Sequence, residues 1–169
     1  MIFVSLGTHE QPFTRALDLV APLADEHELV VQYGHTPRRA DVRATWIEFG
    51  AYDKVVGLME EALAVVCHAG VGTIITALGA GHCPVVLPRL ARFAEHVDDH
   101  QLQITRAFAE RGIVVECLDG DDIRACVQRA TTITATRPSH LGDLAAAVGA
   151  ATLKPSPPAE AEARPSWNS

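Results

Sequence analysis

The chain has no excess of basic residues. Fourteen Lys and Arg face twenty-one Asp and Glu across 169 residues, a formal net charge of −7. With an isoelectric point near 5.5, that balance excludes a general nucleic-acid binder. It has no CxxC pair. Its four cysteines, Cys67, Cys83, Cys117 and Cys126, stand apart. Three sit inside apolar runs, as buried free thiols do, and such usage suits a reducing cytoplasm. No apolar run approaches the ~18 residues of a membrane span. The opening "IFVSL" is apolar but short, with no basic stretch before it and no cleavage pattern after. It reads as a first strand, not a signal peptide. Nor is there a GxGxxG run, a P-loop Gly-Lys or a GxSxG elbow.

What is present is a core-forming composition, 48% hydrophobic, laid out in alternating patterns. Short β-rich runs at 2–6, 28–34, 45–50, 64–68, 84–88 and 113–117 are separated by helical periodicity. Pro12 suits the first turn of a helix running to about Glu26. Further helices are expected over 53–62, 73–81, 99–112 and 121–131. Strands alternating with helices predict an α/β fold, a mostly parallel Rossmann-like sheet covered on both faces. Ligands in such folds sit beyond the carboxyl ends of the strands. The segments Gly7-Thr8, His68–Thr73 and Arg89–Gln101 all follow strand ends and should gather at one rim. Beyond Arg137 the pattern weakens. Residues 137–153 are expected to form a docking helix. Residues 154–169, with four of the ten prolines, read as a disordered tail.

Three stretches carry polar chemistry. In "HAGVGT" (68–73) a strand meets two glycines and then a helix. Gly70 and Gly72 let the backbone turn and approach a ligand, the helix offers free N–H groups, and Thr73 adds a hydroxyl. That is the physics of phosphate binding, and an ordinary strand-to-helix turn gives the same letters. In "PRLARFAEHVDDHQ" (88–101) His96 and His100 have metal-ligand spacing if both lie on a helix. Asp98 instead suits an N-cap, with Gln101 closing a capping box, and this places His96 before the helix. In "GTHEQPF" (7–13) a glycine and a threonine follow a strand, either as a second anion site or as a plain turn.

"FVSLGTHEQPFTRAL", "HAGVGTI" and "PR…EHVDDHQ" together resemble the C-terminal, nucleotide-sugar-binding half of family 28 glycosyltransferases of the GT-B fold. The likeness covers roughly residues 2–135. It extends to small separate subunits, of eukaryotic dolichol-linked glycan synthesis and of bacterial exopolysaccharide assembly. The resemblance implies a nucleotide-sugar-binding domain over residues 1–136. It places Gly70, Gly72 and Thr73 on the donor diphosphate with His68 beside them. Gly7 and Thr8 lie toward the diphosphate or the acceptor. The 89–101 stretch, with Arg89, Glu95, His96, His100 and Gln101, faces the sugar and ribose. Thr76 stands where many relatives carry a ribose-binding glutamate, a contact Glu95 could supply. The implied reaction is transfer from a UDP-sugar with inversion, without metal or cofactor. The implied partners are a membrane-anchored second subunit and a lipid-linked acceptor at the cytoplasmic face, with self-association when the chain is isolated. His9 is the candidate base within the chain. The rival readings are a non-catalytic nucleotide-binding module and a metal-dependent hydrolase using His96, Asp99 and His100.

Overall fold

The computed structural model describes residues 1–133. The expected docking helix and tail lie outside the described residues. Six strands, all parallel, form one sheet in the order β3-β2-β1-β4-β5-β6. They are β1 (Ile2–Ser5), β2 (Leu29–Gln32), β3 (Thr45–Ile47), β4 (Ala64–His68), β5 (Val85–Leu87) and β6 (Val115–Glu116). The order reverses between β1 and β4. In open α/β sheets such a reversal opens a crevice at the carboxyl ends.

The two-residue alternation of strand side chains divides the core in two. Ile2 and Val4 of β1 point to one face, Phe3 to the other. On the first face lie α1 (Thr14–Val20) and α5 (Ile123–Thr132), through Leu17, Val20, Ile123 and Val127. On the second lie α2 (Tyr52–Glu61), α3 (Val71–Gly79) and α4 (His100–Ala109), through Met59, Ile74, Leu78, Ile104 and Phe108. Every residue of β1 and β2 is buried, as expected of strands covered on both faces.

The expected helix boundaries shift: α3 begins at Val71 instead of Thr73, and α4 ends at Ala109 instead of Gly112. The first helix does not run from Pro12 to Glu26. It spans Thr14–Val20 and tightens into a 3₁₀ turn over Ala21–Asp25. Pro22 is the cause, because it lacks an N–H and its ring crowds the carbonyl four residues earlier. The cap of α4 is Asp99, not Asp98. The Asp98 carboxylate accepts from the His100 N–H at 3.0 Å, and that of Asp99 turns back to the Ala91 N–H at 2.9 Å. No capping box forms, since Gln101 points elsewhere.

Candidate functional site

The reversal in strand order sets the β1 loop beside the β4 loop. At their junction lies the imidazole of His68. A Cβ on Gly7 would sit 2.5 Å from its Nε2, and one on Gly70 would sit 2.2 Å from its Cε1. Both glycines therefore make room for a ring of the protein itself. Gly70 has an ordinary extended conformation (φ −71°, ψ 121°), so its need for glycine is steric. Gly7 is also left-handed, at φ +79°. A Cβ on Gly34 would in turn meet the Gly7 carbonyl at 2.3 Å. Gly72 differs: it lies in the first turn of α3, and nothing occupies the space where a Cβ would go.

His68 has a fixed proton arrangement. Its Nδ1 accepts from the Gly70 N–H at 3.0 Å, so the neutral ring carries its proton on Nε2, 3.3 Å from the Thr73 hydroxyl oxygen. Thr73 then has its own proton to offer outward. Burial pushes the His68 pKa down to about 4, helped by the positive charge of Arg89 and by the rings of His9 and His96. Burial and Arg89 lower His9 as well. The His9 and His96 rings stand 5.0 Å apart.

This yields a stability prediction. The native His68 refuses a proton that the unfolded chain takes up near pH 6.5. Its contribution is complete above that pH and is lost as pH falls toward 4. Urea unfolding midpoints measured between pH 7 and 4 should fall. In His68→Asn, which keeps an acceptor for the Gly70 N–H, the fall over that window should be shallower. Equal slopes would show that His68 does not set them.

Beneath the loops lies Arg89, 1% exposed. Its Nη1 donates to the carbonyls of Gln11 (2.6 Å) and Glu95 (3.1 Å), and its Nη2 to that of Leu6 (2.9 Å). The guanidinium also lies 4.8 Å from the Phe13 ring centroid. Its partners are carbonyls, so its charge is not cancelled by a carboxylate of its own. Burial lowers its pKa to about 10, with Glu95 opposing, and it stays charged at neutral pH. The Glu95 carboxylate is gripped by Arg15, at 3.0 Å from Nε and 2.8 Å from Nη2, and accepts from the Leu90 N–H. Arg15 also bonds the Pro88 carbonyl and Asp119. Gln101 turns its Oε1 to the N–H groups of both Ala69 and Arg89, at 3.2 Å each.

Of the residues expected to face a ligand, Arg89, Glu95 and Gln101 therefore turn inward. They hold the β1, β4 and β5 loops to one another. Most of their polar atoms are spent on backbone and on Arg15, although Arg89 Nε has no partner among the described residues, and none of the three is more than 8% exposed. Thr8 is exposed, and His9, His68, Gly70, Thr73, His96 and His100 are half-buried at the rim. The hydrolase trio fails geometrically. His96 precedes α4 and bonds Asp98 at 2.9 Å, Asp99 bonds Ala91, and among the described residues these donors form no metal-sized cluster.

Sequence reasoning missed Arg15, which lies 80 positions from Glu95 and carries no local signal. It also missed Ser5 and Gln32, although both are polar residues closing apolar strand runs. They face each other in register at the carboxyl ends of β1 and β2, where the Ser5 hydroxyl donates to Gln32 Oε1 at 2.8 Å. They floor a cleft of about 400 Å³ whose walls include Gly50, Val55, Met59, Gly72, Thr73 and Thr76. The cleft thus runs from the start of α3 to α2, beyond the carboxyl ends. No side chain caps α3, which leaves the first-turn N–H groups of Val71, Gly72 and Thr73 without intrahelical partners. A cavity of about 450 Å³ between Asp25–Leu29 and Arg43–Thr45 lies at the opposite ends of the strands.

Uncapped N–H groups beside a threonine hydroxyl are groups that can receive an anion, and the adjoining cleft has both apolar and amide walls. Among described residues, no helix is long and apolar enough to cross a membrane. No curated protein matches the chain. The sequence model of the glycosyltransferase family 28 C-terminal domain matches residues 1–138. That is most of the chain, and the six-stranded parallel sheet is the architecture of one half of a GT-B fold. The chain belongs to the family 28 glycosyltransferases as a C-terminal domain, the half that binds the donor.

Proposed function

We propose that the chain is the donor-binding catalytic subunit of a UDP-sugar glycosyltransferase that acts on a lipid-linked acceptor in polysaccharide or glycan assembly. One observation carries the diphosphate placement: α3 opens uncapped, with the Thr73 hydroxyl in its first turn beside His68. Fixed N–H dipoles there would bind the diphosphate and stabilise the leaving UDP as the glycosidic bond breaks. They need no reorganisation during the reaction. The nucleoside would extend into the cleft over Ser5 and Gln32. Thr76 lines that cleft and spends its hydroxyl proton on the Gly72 carbonyl, at 2.8 Å. It can still accept from a ribose hydroxyl but cannot clamp two hydroxyls as a carboxylate does.

A base is needed to deprotonate the acceptor hydroxyl, and the second half of the enzyme is its expected source. In this reading that half is a membrane-anchored subunit. It brings the lipid-linked acceptor and holds this chain at the cytoplasmic face.

Thr73→Ala tests the diphosphate seat. Removing one hydrogen bond to a charged oxygen should cost about 1.5–3 kcal/mol of UDP affinity, read by calorimetry on the folded variant. Unchanged affinity would move the phosphates away from the start of α3.

A further inference from the structure

At the outer edge of the sheet, away from the donor cleft, the sulfurs of Cys117 and Cys126 and one carboxylate oxygen of Asp121 lie within 4.8 Å of one another. Cys117 follows β6, and Cys126 projects from α5. Asp121 belongs to the turn between them. That turn closes on itself: the Asp121 N–H donates to the Leu118 carbonyl at 3.1 Å, and its carboxylate accepts from the Leu118 N–H at 2.8 Å. Gly120, at φ +90°, permits the reversal. Both sulfurs are buried, while Asp121 is exposed.

We propose that Cys117, Cys126 and Asp121 form a binding site for a thiophilic divalent cation of the zinc class. A core position needs only an apolar group of the right size, and a valine or alanine would meet that need. Two sulfurs side by side with a carboxylate closing over them are instead a donor set of S₂O type. Thiolates select zinc and cadmium over magnesium and calcium. Zn–S bonds of ~2.3 Å and Zn–O bonds of ~2.0–2.2 Å fit three donors so spaced. The exposed Asp121 leaves the fourth position to water. Binding displaces the two thiol protons to solvent, so atoms and charge balance without an oxidant. The Glu116 carbonyl, which accepts from the Cys126 thiol at 3.9 Å, is released in the same step. The site is independent of the donor reading and survives its failure.

Cadmium is the probe. Titrating Cd²⁺ into the reduced, metal-free full chain should produce a thiolate-to-cadmium charge-transfer band that saturates at a single equivalent and is competed away by Zn²⁺. Cys117→Ser and Cys126→Ser should each abolish it. Since a hydroxyl in the core can unfold the chain, Asp121→Asn is the second variant. It lies at the surface, keeps an acceptor for the Leu118 N–H, and should weaken Cd²⁺ at least about tenfold. Three results would overturn the site: no band in the wild-type chain, a band that persists in the folded double cysteine variant, or Cd²⁺ affinity unmoved by Asp121→Asn. A native disulfide between Cys117 and Cys126, found by mass spectrometry of the protein purified without reductant, would overturn it too.

Discussion

Arg89→Met is expected to destabilise the chain by about 3 kcal/mol or more, because three carbonyls lose their donor at about 1–3 kcal/mol each. Methionine fills much of the volume and keeps the contact with Phe13. What it cannot do is donate. The carbonyls of Leu6, Gln11 and Glu95 would each lose a partner in a place that water reaches poorly. These carbonyls belong to the loops that follow β1 and β5, so the loss falls on the rim itself. Arg89→Lys should recover only part of it, because one ammonium cannot span the three carbonyls as a planar fork does. Denaturant unfolding of the three proteins orders them wild type, Lys, Met. UDP affinity, measured well below the unfolding transition, should fall in the same order. A methionine variant as stable as wild type would mean that the three carbonyls find other donors and that Arg89 does not hold the loops.

The second large effect concerns activity. The described residues carry one sheet, and the cleft over Ser5 and Gln32 at its rim is open. Transfer needs donor and acceptor aligned in a site from which water is excluded, and one open domain leaves a bound donor facing solvent. Purified by itself, the chain should bind UDP-sugar weakly and transfer no detectable label to a lipid-linked acceptor. It should also tend to self-associate through the face that the proposed partner would cover. Co-expression with the proposed membrane-anchored subunit should restore transfer. Turnover by the chain alone at the rate of the reconstituted pair would refute the half-enzyme reading. It would then turn attention to His9, which stands at the rim beside His96 with its pKa lowered by burial and by Arg89, and so is available as a neutral base.

The sequence by itself determined the α/β class, the six strands and the rim on which the polar segments gather. Each of these follows from signals a few residues long: β-branched runs, helical periodicity, and glycine or proline at their ends. "AVVCHAGVGT" announces a strand, a turn and a helix start within ten letters, and β4 and α3 are found there. The resemblance to family 28 was legible for the same reason, being carried by contiguous motifs.

Only the tertiary structure decided what the polar residues do. Gly70 reads as a residue freed to approach a ligand, yet it is required by the His68 ring, which Gly7 hems in from a loop more than sixty positions away. Arg89, Glu95 and Gln101 read as ligand contacts, yet they bind the loops together, with Arg15 arriving from α1. Asp98 and Gln101 have the spacing of a capping box, yet the helix begins one residue later and Gln101 is drawn away to the Ala69 and Arg89 N–H groups. The physical reason is common to all of these. Local conformation is set by neighbours along the chain. Whether a polar side chain meets solvent or another loop depends on which strands pair, and the placing of β1 beside β4 is fixed only when the whole sheet closes over its two cores.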